Sequence, residues 1–205
     1  MAYDADEIRL GRSGAVRFAP VGTEGPTPLL GSWPEQFRDF GYISTDGLTE
    51  SINEERTDVN VWQSSSPVKS WIQSRETTFT VTFMEVSVDV LGLYYGIPED
   101  QMVIDREAGS VSFVDTLGEP DERFFGIDVL EEDTDLADTE VSGDAWHARF
   151  EIPRGLFTEP SDIQYSREND TVSFGGTITC LRNSQGWSIR RTHGGLVLPE
   201  TIPGD

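Results

Sequence analysis

Residues 77–87 read TTFTVTFMEVS, so Phe79, Val81 and Phe83 point one way along an extended chain and Thr78, Thr80 and Thr82 the other. A period of two is the mark of a half-buried strand. The same alternation recurs at 14–18 (GAVRF), 58–63 (DVNVWQ), 110–117 (SVSFVDTL), 123–130 (RFFGIDVL), 145–153 (AWHARFEIP) and 170–181 (DTVSFGGTITCL). β-Branched and aromatic residues fill these runs, and Gly, Pro, Asp and Asn separate them. That distribution predicts a mainly β fold of short antiparallel strands in a sandwich or barrel. One stretch departs from it. In SVDVLGLYYGI, residues 87–97, Ser87 is placed as an N-cap, Asp89 falls in the first turn, and Val88, Leu91 and Tyr95 lie at helical spacing before Gly96 and Pro98 end the run. A single short flanking helix is predicted there.

Three segments carry no regular period. Residues 21–41 hold three prolines yet also Leu29, Leu30, Trp33, Phe37 and Phe40, more apolar surface than a solvated linker carries. They read as an extended arm that docks on a neighbouring subunit through Leu29, Leu30, Trp33 and Phe37. Residues 128–144 concentrate Asp and Glu, and no Lys or Arg lies between Arg123 and Arg149, so like-charge repulsion favours an extended, solvated loop. Residues 196–205 read as a second extended arm. With no internal repeat, residues 1–205 are taken as one domain.

Charge changes the picture more than length does. Fifteen basic against 37 acidic residues give a formal net charge of −22, and Lys69 is the only lysine. Such a surface repels phosphate, which argues against gripping duplex DNA by counterion release. Solubility or adaptation to a salty environment is the plainer meaning of the acidity. Cys180 is the sole cysteine, so an internal disulfide is excluded. The first residues, MAYDADEIRLGRSG, lack the apolar stretch of a secretory signal, and no apolar run approaches the ~20 residues of a membrane span. The expectation is a soluble protein, intracellular when made, with no membrane partner.

Catalytic and metal patterns are weak. Starting an EF-hand at Asp133 puts Ala137 at the fifth position and Asp138 at the sixth, where ligand oxygen and glycine are needed. His147 and His193 have no partner ligands at zinc or iron spacing. His147, between Trp146 and Arg149 in a strand pattern, reads as a structural histidine. A Ser-His-Asp group meets only in space, but the G-x-S-x-G elbow is absent. Carboxylate pairs suited to glycoside hydrolysis are available anywhere in so acidic a chain and therefore decide nothing. FGGTITC lacks both the spacing and the lysine of a phosphate loop. Cys180 reads as a small buried hydrophobe, and the five tryptophans as core or interface packing. No enzyme activity, cofactor or metal is expected.

The order of segments does carry a resemblance. GYISTDGLTESINEERTDVNVWQSSSPVKSW (41–71), ETTFTVTFMEVSVDVLGLYYG (76–96) and ARFEIPRGLFTEPSDIQYSRENDTVSFGGTITCL (148–181) together resemble the major tail tube protein of long-tailed, non-contractile bacteriophages, over residues 41–186. The resemblance implies a sandwich or barrel-like tail tube fold with a flanking helix, hexameric rings stacked into the virion's tail tube, and assembly in the host cytoplasm. It also implies partners among the other tail proteins: tape measure, tail terminator and distal tail protein. DNA would pass through the lumen without specific binding. Pairing each exposed sheet edge with the next subunit removes an aggregation hazard, and head-to-tail contacts that close make a ring. In that ring Thr78, Thr80 and Thr82, with Thr49, Ser51, Asn53 and Glu55 of the preceding strand, are the candidates for the inner wall. Competing readings are a tail terminator or connector ring, a carbohydrate-binding β-sandwich using tryptophans, a carboxylate hydrolase, and a polar face that meets only outside solvent.

Overall fold

The computed structural model describes residues 7–115, 118, 121–131, 145–167 and 171–196. The acidic segment 132–144 and the arm 197–205 lie outside the described residues. Strands β1 (Ser13–Pro20), β2 (Arg38–Asp39), β3 (Thr49–Val59) and β4 (Lys69–Phe83) precede helix α1 (Val88–Tyr95) and a 3-10 turn at Glu99–Gln101. Then follow β5 (Val103–Asp105), β6 (Ser110–Ser112), β7 (Arg123–Leu130), β8 (His147–Thr158), β9 (Phe174–Cys180) and β10 (Arg190–Gly194). Strand is the dominant structure, as the alternation predicts.

Eight strands make one antiparallel sheet in the order β2-β1-β7-β8-β9-β4-β3, with β10 beside β8, and β5 and β6 form a separate hairpin. β8 serves two neighbours on one edge. Its His147–Glu151 half pairs β10, and its Gly155–Thr158 half pairs β9. The chain after β2 then brings the sheet round on itself. The Phe40 N–H donates to the Val16 carbonyl at 3.0 Å on β1, while Ile43 bridges Phe83 and the Ser44 N–H donates to the Thr82 carbonyl at 2.8 Å on β4. One curled sheet therefore encloses the core, the barrel alternative of the predicted class.

The enclosed side chains are those the alternation turned inward. Phe79, Val81 and Phe83 are buried with Val16, Phe40, Phe125, Ile127, Ile152, Phe174 and Ile178. Aromatic rings knit the opposite walls: Phe40 to Phe18 at 4.3 Å, Phe40 to Phe83 at 5.0 Å, and Phe79 to Phe150 at 5.1 Å between centroids.

Helix α1 begins where expected, with Ser87 Oγ accepting from the Val90 N–H at 3.2 Å, and ends at Gly96 in the left-handed region at φ 65°. Val90 and Leu93 go inward, whereas Tyr95, one of the three residues at helical spacing, is exposed. Apart from Asp89 the segment is apolar on every side, so spacing alone had no polar stripe with which to choose.

Several strand readings are corrected, among them the run 110–117, of which only Ser110–Ser112 is strand among the described residues. The run 58–63 is the end of β3 and a turn at Trp62–Gln63; the strand itself occupies Thr49–Val59. β4 continues eight residues upstream of Thr77 to Lys69, a stretch exposed on both faces and hence without alternation. β10, RRTHG, has no apolar residue to signal it.

Candidate functional site

The most distinctive feature of the surface is the β3–β4 hairpin. β4 spans 15 residues, ~50 Å at strand rise, but only its Thr77–Phe83 end touches the core; Lys69–Glu76 is exposed throughout. The outer half stands ~26 Å clear of the barrel by the same rise. Pairing has its one irregularity between Glu55 and Arg56, just where the hairpin leaves the body.

Paired residues of neighbouring strands share a face. The register Thr49↔Thr80, Ser51↔Thr78, Asn53↔Glu76 and Glu55↔Ser74 therefore collects the polar side chains of both strands on the side opposite Phe79. Thr82 continues that face opposite Gly175 of β9. The structure thus brings all seven wall candidates, Thr49, Ser51, Asn53, Glu55, Thr78, Thr80 and Thr82, onto one surface. It also extends that face across two more strands, with Thr177 itself buried among its neighbours. Thr80 pairs Thr177 of β9, which pairs Thr158 of β8, giving the row Thr49–Thr80–Thr177–Thr158 across β3, β4, β9 and β8. One step along, Ser51, Thr78 and Thr179 make a second row, tied to the first by a 2.9 Å hydroxyl contact between Thr158 and Thr179. Thr158, Thr177 and Thr179 were missed in the sequence, although Thr177 and Thr179 flank Ile178 in the same alternation as the β4 threonines.

The remaining charges of the hairpin lie largely on its other side. Glu54 receives Arg75 and also Arg56, the latter at 2.8 Å, and these contacts hold its carboxyl below the usual range. Glu50 is paired with Arg191 of β10. The wall face carries neutral hydroxyls nearer the body and Glu55 and Glu76 farther out, and the same register continues it toward the tip through Thr57↔Trp71 and Val59↔Lys69.

A second constellation fixes residues 21–41. Asp128 on β7 is buried and accepts from Arg17 Nη1 at 2.8 Å, Trp33 Nε1 at 2.6 Å, His147 Nε2 at 2.9 Å, and Arg149 Nε at 2.6 Å and Nη2 at 3.2 Å. Burial by itself would raise the Asp128 pKa. Hydrogen bonds from His147 and Arg149, the Arg149 charge and the Trp33 N–H outweigh it and hold the carboxyl at about 2. Arg149 also donates through Nη1 to the carbonyls of Leu29 at 3.2 Å and Gly31 at 2.5 Å, and its guanidinium lies 4.6 Å from the Trp33 ring centre. Beside Asp128, Glu151 is 1% exposed, and its pKa is raised by burial, with Arg190 only partly offsetting this.

The arm candidates divide accordingly. Trp33 lies over Gly126, where an added Cβ would overlap the indole, and Phe37 is buried in a cluster with Ala19 and Phe124. Both side chains are packed on their own sheet, so neither protrudes as a free arm would. Leu30 lies against Gly194 of β10, and Leu29 is exposed. His147 is the satisfied structural histidine read from its strand pattern. Cys180 is buried, which pushes its thiol pKa up to about 12. Among the described residues, no three His, Cys, Asp or Glu are placed to share a metal ion, and no helix is long and apolar enough to cross a membrane.

Comparison with known proteins gives a family. The family described as phage tail tube protein matches residues 1–188. No curated protein matches the chain. Among solved structures, the chain is similar to the tube-terminating cap of the anti-feeding prophage, at 12% identity and TM-score 0.44, covering 94% of this chain and 99% of that one. It is also similar to a chain of the extended sheath–tube complex of an extracellular contractile injection system, PVC, at 10% identity and TM-score 0.43, covering 92% and 93%. A chain of the anti-feeding prophage baseplate gives 12% identity and TM-score 0.41, covering 96% and 100%.

Proposed function

This chain belongs to the phage tail tube protein family, and from that premise we propose that its copies form hexameric rings stacked into the tail tube of a virion, with the threonine face turned to the lumen. The role is structural. The observation that supports the wall assignment is the row of hydroxyls shared by four strands on the side of the sheet away from the core. Threonine keeps strand propensity while presenting neither apolar surface nor cation to a passing duplex. Glu55 and Glu76 add weak repulsion of phosphate, so DNA slides through without specific binding, whereas arginines in the same row would hold it. The tube is that of a long-tailed, non-contractile phage. It is capped and measured by the tail terminator, distal tail and tape measure proteins, and assembled in the host cytoplasm.

Negative-stain microscopy of the purified full chain tests the reading: hollow tubes are expected, and isolated rings or monomers at every concentration would replace the tube subunit by a single-ring protein or an unrelated β-domain. Tubes built from Thr80→Arg protein should retain duplex DNA at low salt and release it as salt is raised, while wild-type tubes retain none. If the two behave alike, the threonine face is not the lumen.

A further inference from the structure

The sheet curls shut through residues 40–44, which join β1 to β4, but β3 and β10 come together at the end of the barrel without pairing. Side chains span this seam instead. Glu50 shares the inward face of Phe79, its partner across β3 and β4, and Arg191 shares that of Phe150, its partner across β10 and β8. The Arg191 guanidinium donates to Glu50 Oε1, through Nε at 2.9 Å and also through Nη2, so neither bond uses Oε2.

Beside the ion pair lies a cleft of about 180 Å³. Its lining reaches into the core at Phe79, Ile127, Ala148 and Phe150, and includes the half-buried Leu48 and Trp146. His193, exposed at its mouth, stacks along Trp146 at 6.2 Å and meets Phe150 edge-on at 6.3 Å between ring centres. Left empty, a space of this size forfeits packing contacts for every side chain around it. Water fills it badly, because a buried water needs about two to four polar partners and, among the lining side chains, only Glu50 and His193 offer any. A dry cavity of about 150 Å³ lined by Leu, Ile and Phe accepts a benzene ring. This cleft is a little larger, and its rim adds a carboxylate oxygen.

We propose that the cleft is a binding site for a small neutral phenol, with the aromatic ring seated among Phe79, Trp146 and Phe150 and the hydroxyl donating to Glu50 Oε2. Aromatic walls favour a ring over an alkyl group, because ring faces and ring edges carry opposite partial charge. A carboxylate at the mouth favours a donor and turns away an anion such as benzoate. Every group the site needs comes from one subunit, so the site does not depend on how copies assemble.

Full-length protein titrated into 4-fluorophenol, followed by fluorine NMR line width and shift, should show saturable binding with Kd on the order of 1 mM. Fluorobenzene, lacking the donor, should bind about fivefold more weakly, and benzoate should not compete. At about ten times its Kd, 4-fluorophenol should shift the folding equilibrium about tenfold toward the folded state, seen as a higher melting temperature. Ala148→Leu, which fills the cleft, should abolish binding of both fluorinated molecules. Glu50→Ala leaves the apolar lining in place, so it should bind fluorobenzene as wild type does while the phenol loses its advantage. That comparison decides the matter even where Ala148→Leu fails to fold. Absence of saturable 4-fluorophenol binding below about 10 mM would overturn the proposal, and so would binding that neither substitution alters.

Discussion

Replacing Asp128 by asparagine removes one charge and leaves the side-chain shape nearly unchanged, yet it puts an amide where Arg17, Trp33, His147 and Arg149 all donate. The linkage follows from the folded pKa of about 2 against an ordinary value of 3.8. A depression of roughly two units corresponds to ~2.5 kcal/mol of stability at neutral pH. Because the folded pKa is the lower one, this contribution is fully present above about pH 5 and is lost as pH falls through 4 toward 2. The substitution costs more than the linkage term, about 3–5 kcal/mol, because it strands the buried Arg149 guanidinium. Glu151 acts with the opposite sign. Its folded pKa, raised chiefly by burial and in part by the Asp128 charge, makes its ionised form a liability, so protonation as pH falls through that value relieves strain, less in the variant than in wild type. Asp39, also raised and 3.4 Å from Arg17, behaves in the same sense. Urea unfolding of both proteins at pH 7, 5 and 3, followed by tryptophan emission, gives as their difference the contribution of the Asp128 charge, including its smaller, opposing effect on Glu151 and Asp39. That difference should exceed 2 kcal/mol at pH 7 and shrink at pH 3. A difference below about 0.5 kcal/mol at pH 7, or one that does not change with pH, would show that the cluster is not the charge-assisted clasp described.

Gly126→Ala should displace the Trp33 ring from its sheet and cost about 1–3 kcal/mol, with a red shift of tryptophan emission; unchanged emission and melting would mean that the loop has room to spare. Ser87→Ala removes the acceptor for the Val90 N–H and should lower stability by about 1 kcal/mol by thermal or chemical melting, whereas Ser87→Asp should retain it. The Cys180 thiol, buried and with its pKa near 12, should react with a disulfide reagent at pH 8 only after denaturation, and prompt reaction in the native protein would contradict its burial.

The sequence was informative wherever one side of a strand meets the core and the other does not. Phe79, Val81 and Phe83 alternating with threonines determined both the strand and which side is inward, and Ser87 and Gly96 determined the ends of α1. The polar character of the candidate wall was likewise legible in Thr49, Ser51, Asn53 and Glu55. Tertiary structure decided the rest. Nothing local states that Thr80 stands between Thr49 and Thr177, because pairing partners are distant in the chain and threonine is as common on an ordinary solvated face. The outer half of β4 and β10 left no trace, since a strand wet on both faces, or written RRTHG, has no alternation to read. Trp33 and Phe37 were visible as apolar surface needing cover. Only the fold showed that the cover is the subunit's own sheet, since the Asp128 clasp needs donors from β1, β8 and the loop to converge on one carboxylate of β7. Alternation records contact with a core one residue at a time; closure of the barrel, the hydroxyl rows and the clasp are properties of which strands meet, and that is settled only when the whole sheet curls.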